Sequence, residues 1–147
     1  MRRLLYAGIA IAVGVSASSA YAADDPITVR KRLMDANGAA AGMMVAMIKG
    51  DMPFAAGAAD SALKTFNAVA HAYGDFFPAG SDQGDTKASP EIWQDMAGFQ
   101  EKLADFQQAV NDAMAMKPAS VDDVKTAMGG IGKACGGCHE VYRLSNN

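Results

Sequence analysis

An all-α fold, an antiparallel up-and-down four-helix bundle, is predicted by three observations on this 147-residue chain. Apolar residues recur at alternating steps of three and four in four separate segments, the 3.5-residue repeat of helices that cross at shallow left-handed angles. Start and stop residues bracket each segment, and only one connection is long. No segment shows the apolar-polar alternation of a half-buried strand, and no internal repeat or second domain is visible.

The first helix opens at Asp24-Asp25-Pro26, a cap followed by proline in the first turn, and stops at Lys49-Gly50. Ile27, Arg30, Met34, Asn37, Ala41, Met44 and Ile48 share its inward stripe. Arg30 and Asn37 interrupt that stripe and need a reason. Gly38 and Gly42 remove side chains where something approaches closely, each costing the helix about 1 kcal/mol relative to alanine.

The second helix starts near Pro53, carries Ala59, Leu63, Phe66, Ala70 and Tyr73 on one stripe, and ends at Gly74. Residues 75–89, rich in Gly, Asp, Ser and Pro, form the long loop. Ser89-Pro90-Glu91 opens a third helix, with Ile92, Met96, Phe99, Leu103, Phe106 and Val110 as its stripe and Pro118 as its end. Ser120 caps the fourth, with Asp123 at the acidic position of a capping box. Its stripe of Val121, Val124, Met128, Ile131, Cys135, Cys138 and Tyr142 is unbroken.

Residues 1–22 read as a secretory signal peptide: Arg2 and Arg3, an apolar run over 4–15, and the small-residue end Ala20-Tyr21-Ala22. Cleavage there leaves residues 23–147 as one domain. The full chain has a formal net charge of −3, and losing two arginines and no acids takes the mature chain to −5. That balance argues against nucleic acid as a partner and permits a basic one. No later segment is apolar enough to span a bilayer.

The chemistry concentrates in Cys135-Gly136-Gly137-Cys138-His139. C-x-x-C-H is the attachment sequence of c-type haem, because helix positions i, i+3 and i+4 share a face and can present two sulfurs and an imidazole to one macrocycle. Other meanings fit less well. A thioredoxin-like pair needs a strand-to-helix junction, a zinc site needs ligands beyond these three and the distant His71, and two cysteines three apart on a helix staple little. The cofactor expected is therefore one haem c, attached through two thioethers to Cys135 and Cys138, with His139 on the iron. Gly129, Gly130, Gly132, Gly136 and Gly137 make this helix poor by propensity, so haem packing must supply stability. Covalent haem attachment is usually completed outside the cytoplasm, which agrees with the leader and places the protein in the periplasm.

Cys135-x-x-Cys138-His139-x-x-Tyr142-Arg143 on the last helix of a bundle resembles the class II c-type cytochromes, the cytochrome c′ superfamily. Lys49-Gly50 followed by Pro53-Phe54, and Pro90-Glu91-Ile92-Trp93, match as well, so the likeness covers essentially the whole mature chain. Leu33-Met34-x-x-Asn37-Gly38 and Ile131-Gly132-Lys133-Ala134-Cys135-Gly136 are most similar to the low-spin branch typified by cytochrome c-556. In that branch a methionine matching Met34 is the sixth iron ligand, whereas typical cytochromes c′ leave the position empty.

The resemblance implies an electron-transfer protein cycling Fe(III) and Fe(II) with His139 and Met34 bound, serving unidentified redox partner proteins. It also allows a homodimer packed through the first two helices. The alternatives are a five-coordinate protein binding nitric oxide or carbon monoxide, should Met34 be ordinary core, and a dithiol oxidoreductase without haem. No nucleophile-base-acid constellation accompanies the motif, so no enzyme is indicated. Arg30 is either a solvated helix residue or, as the family implies, a cation facing a haem propionate. Arg143 resembles the arginine bordering the proximal haem face, or else balances the helix dipole. Trp93 reads as packing near the haem edge, and His71, beside its stripe, as a solvated histidine rather than a rival ligand.

Overall fold

The computed structural model describes residues 25–145. The leader expected over 1–22 lies outside them. Four long helices, α1 (Pro26–Lys49), α2 (Ala56–Ala72), α4 (Met96–Met116) and α5 (Val121–Tyr142), are joined by a 3-10 turn (Tyr73–Phe76), a loop, and the one-turn helix α3 (Glu91–Gln94). Each long helix packs against the next, and α5 closes the ring on α1. The expected bundle is present.

The ends of α1 follow the chain's own signals. Asp25 Oδ2 accepts from Thr28 N at 3.0 Å, and Gly50 takes the left-handed φ of 79° that lets it and Asp51 close onto the carbonyls of the last turn. At the start of α5, Ser120 Oγ accepts from Asp123 N while Asp123 Oδ2 accepts from Ala119 N and Ser120 Oγ. The capping box closes one residue further upstream than expected.

Three boundaries differ from the sequence reading. The second helix begins at Ala56 rather than near Pro53, because Phe54 stays outside the helix and packs on the core while Ala55 is extended. Gly74 does not stop the chain, which tightens into the 3-10 turn and passes through it. A Cβ at Gly74 would stand 3.2 Å from Leu103 Cδ1, so this glycine permits a close approach between the 3-10 turn and α4. The third helix is not continuous: it breaks at Asp95 (φ −128°, ψ 62°), whose carboxylate accepts from Gly98 N at 3.0 Å and starts α4 afresh. Among the described residues the only extended pairing is a single bridge between Ala88 and Arg143.

Two apolar clusters fill the interior. The larger joins Met44 and Met47 of α1, Leu63 and Phe66 of α2, Phe106 and Val110 of α4, and Val124 and Ile131 of α5. The smaller gathers Phe77, Ile92, Phe99, Leu103 and Tyr142 beside the loop. Burying side chains of this size contributes about 1.5–3 kcal/mol each, which is what holds the glycine-rich α5 in place.

Candidate functional site

Cys135, Cys138 and His139 lie on one face of α5, and all three are partly buried. Cys135 packs on the larger cluster and Cys138 on the smaller, so the pair straddles the junction between the two halves of the core. Both are free thiols. Burial raises both thiols above their ordinary range, and the neighbouring Cys135 raises Cys138 further. Burial, assisted by the Arg143 cation, lowers His139, leaving a neutral imidazole with a lone pair available to a metal. Among the described residues no three His, Cys, Asp or Glu side chains stand together as a metal site, so a four-ligand zinc site lacks its donors.

Besides α4, α1 packs against α5. Arg30, Met34 and Asn37 follow one another at i, i+4 and i+7, which places them on one stripe. Arg30 is 3% exposed and Asn37 8%, yet Met34 between them is only half-buried. One turn beyond Met34, a Cβ added at Gly38 would meet nothing within 4 Å, and the same holds at Gly132 and Gly136 beside the cysteines. The sequence reading had Gly38 and Gly42 making room for a close neighbour; no described protein atom takes that place at either.

Arg30 is the centre of a buried network. Its Nη1 donates to the Phe76 carbonyl and Ser81 Oγ, both at 2.8 Å, and its Nη2 to the Ser81 carbonyl at 2.7 Å and Thr86 Oγ1 at 3.3 Å. All four Nη hydrogens are therefore committed to the loop. The guanidinium also lies 4.7 Å from the Phe77 ring centre and 5.6 Å from that of Trp93. Desolvation lowers its pKa, with Tyr73 and Asp25 opposing, and burial pushes the Tyr73 hydroxyl up to about 12.

Trp93 is partly buried, donates from Nε1 to the Pro78 carbonyl at 3.2 Å and tilts against Phe77. Arg143 is exposed, and its backbone pairs with Ala88. His71 is exposed on α2, where it meets the Gln107 amide of α4 at 3.0 Å.

Sequence reasoning missed Ser81, Thr86 and the Asp95–Tyr142 contact. Ser81 carries no local signal, since its burial arises only where the loop folds over Arg30. Asp95-x-x-Gly98 does carry one, an aspartate three residues ahead of the amide it caps.

These residues fit a covalently attached haem. Two free thiols and a neutral imidazole share one helix face, glycines beside them leave open space, and the facing helix presents a half-buried thioether.

Comparison with known proteins agrees with that chemistry. The family model described as Cytochrome C′ matches residues 25–143. Cytochrome c-556 of Rhodopseudomonas palustris is 38% identical over 97% of this chain and 97% of its own. An NMR-validated structural model of oxidised R. palustris cytochrome c556 superposes with a TM-score of 0.76 at 35% identity, covering 85% of this chain and all of that one. A nitric oxide complex of a cytochrome c prime variant from Alcaligenes xylosoxidans gives 0.73 at 27% identity, over 83% of this chain and 96% of that one. The helix that carries both cysteines, the bundle around it and this likeness along the described length lead to one conclusion: the chain belongs to the cytochrome c′ family and carries one covalently attached haem c.

Proposed function

We propose that this protein is a periplasmic one-electron carrier whose haem is held through Cys135 and Cys138 and ligated by His139 and Met34. The observation that carries the reading is the Met34 position: the inward stripe of α1 is closed at Arg30 and Asn37 and open between them, on the helix that packs against α5. The Met34 thioether is left half-buried on that stripe.

Bound haem supplies an Fe(III)/Fe(II) couple, whose potential the axial ligands and surrounding dipoles set. His139, neutral because it is half-buried near Arg143, offers nitrogen without first losing a proton. Met34 offers sulfur, which favours the ferrous state. Arg30, its Nη hydrogens spent on the 3-10 turn and the loop, would bring a buried positive charge towards a haem propionate. Trp93 and Phe77 wall the same end with aromatic surface, and the exposed Arg143, one turn after His139, would border a bound haem from the solvent. The expected leader supports export, and no described helix is long and apolar enough to cross a membrane. Partners are redox proteins, and two copies meeting through α1 and α2 would cover the exposed Met43.

The absorption spectrum of the mature holoprotein tests this. Low-spin haem in both oxidation states, with a weak far-red sulfur-to-iron band when oxidised, is expected. Met34→Ala should give high-spin ferric haem and prompt carbon monoxide binding by the ferrous form. A high-spin wild type would instead support a five-coordinate gas-binding protein, the reading that the likeness to the nitric oxide complex favours.

A further inference from the structure

The loop between the 3-10 turn and α3 is gripped from two sides. The first turns of α1 hold its near half: Arg30 Nη2 donates to the Ser81 carbonyl at 2.7 Å and to Thr86 Oγ1 at 3.3 Å, and Lys31 Nζ pairs with Asp85 Oδ2 at 2.6 Å. Ile27 Cδ1 lies 3.2 Å from where a Cβ at Gly84 would stand. The end of α5 holds the far half. Ser89 N donates to the Tyr142 carbonyl at 3.0 Å and Leu144 N to the Lys87 carbonyl at 2.8 Å, on either side of the Ala88–Arg143 bridge.

Thr86 joins the two grips. Its hydroxyl oxygen accepts from Arg30 Nη2 and also from the Ala88 backbone N–H at 3.1 Å, so one atom links α1 to the segment paired with α5. The Lys31 pair is exposed and contributes little, whereas the bonds of the buried guanidinium are charge-assisted and poorly replaced by water. Arg30 precedes Met34 by four residues and Tyr142 follows His139 by three, each about one helical turn. The loop is therefore fastened within a turn of both proposed axial ligands. Methionine has three rotatable bonds and does not fix its own sulfur, so the helix that carries it must be held.

We propose that Thr86 is a positioning residue for the sixth iron ligand: by joining Arg30 to the Ala88 N–H it straps the first turns of α1 to the end of α5, and so keeps the Met34 thioether on the iron that His139 holds. This rests on Met34 being that ligand.

The test is the rate at which carbon monoxide enters the ferrous holoprotein, which departure of the thioether limits. Thr86→Val keeps the shape and removes the acceptor; entry should be about fivefold faster than in wild type, and the ferric far-red band weaker. Thr86→Ser keeps the hydroxyl and should enter as slowly as wild type. In a Met34→Ala background Thr86→Val should leave the rate unchanged, because the ligand it acts through is gone. Asp123→Ala, which weakens the cap at the other end of α5, should lower the unfolding midpoint without speeding entry, a contrast that separates positioning from stability. Wild-type entry in Thr86→Val, or an equal acceleration in Thr86→Ser, in Asp123→Ala or in the absence of Met34, would overturn the proposal while leaving Met34 ligation intact. A wild type lacking the far-red band would overturn the Met34 reading, and with it this one, before any substitution is made. Should Thr86→Val not accumulate, Ser81→Ala, which removes another acceptor of Arg30, is read by the same rates with the same outcomes.

Discussion

The hydroxyl of Tyr142 donates to Asp95 Oδ2 at 3.0 Å and ties the last residue of the haem-bearing helix to the cap of α4. Asp95 Oδ1 meanwhile accepts from Gly98 N, so this residue ends α3 through its backbone N–H, which donates to the Glu91 carbonyl, and with its carboxylate begins α4 and anchors α5. Burial, with the carboxylate beside it, raises the Tyr142 hydroxyl above the usual phenol range and keeps it a donor. Cys138 packs against the same cluster, so this strut supports the attachment site.

Gly98 tests the strut most directly. A Cβ there would collide with Asp95 Oδ2 and stand 2.6 Å from Tyr142 Oη. Gly98→Ala should lower the thermal midpoint more than Tyr142→Phe, which loses the hydrogen bond alone and should cost about a few degrees. Calorimetry on the holoproteins checks the order; midpoints equal to wild type's in both variants would show that the strut carries no stability.

Arg30 holds the loop, and losing it should loosen that loop selectively. Arg30→Met leaves the Phe76 and Ser81 carbonyls without their donor, for an expected loss of about 2–4 kcal/mol by denaturant unfolding. Protease cleavage within residues 77–90 should accelerate in step. Arg30→Lys keeps the charge but not the planar fork, so it should fall between the two.

Asp123 makes part of the stability depend on pH. Hydrogen bonds from the Ser120 side chain and the Ala119 backbone lower its folded-state pKa below 3.8. A depressed carboxylate contributes stability above its unfolded pKa and loses it as pH falls through the folded value. Asp123→Ala should therefore unfold at a lower temperature than wild type at pH 7, with the gap closing as pH falls below the ordinary carboxylate range. A gap that persisted in acid would exclude the carboxylate as its source.

Gly129 lies ahead of the attachment sequence, and a Cβ there would meet nothing within 4 Å. Gly129→Ala should add about 0.5–1 kcal/mol to stability without altering the haem spectrum, as expected for an unstrained helix interior. Denaturant midpoints and one absorption scan settle both parts.

The helices and the attachment sequence were legible because their causes are local. A cap such as Asp25 or Ser120, a left-handed stop such as Gly50, and the i, i+3, i+4 face of Cys135, Cys138 and His139 each depend on residues within one or two turns. The break at Asp95 was half-legible, since its cap to Gly98 is local while its bond to Tyr142 spans 47 residues. Where the second helix begins was not, because Phe54 leaves the helical path for a core that the other helices build.

By itself the sequence determined the all-α class, the cofactor and the face of α5 that carries it, all written in short-range spacing. Only the tertiary structure decided which partners Arg30 and Asn37 find. Arg30 meets acceptors 46 and 51 residues away, on a loop whose course no local pattern dictates. The Asn37 side-chain oxygen is left without a partner by the way α1 packs, and no periodicity can tell a satisfied buried oxygen from an unsatisfied one. Spacing dictates which side chains share a face; only packing dictates whether each finds a partner there.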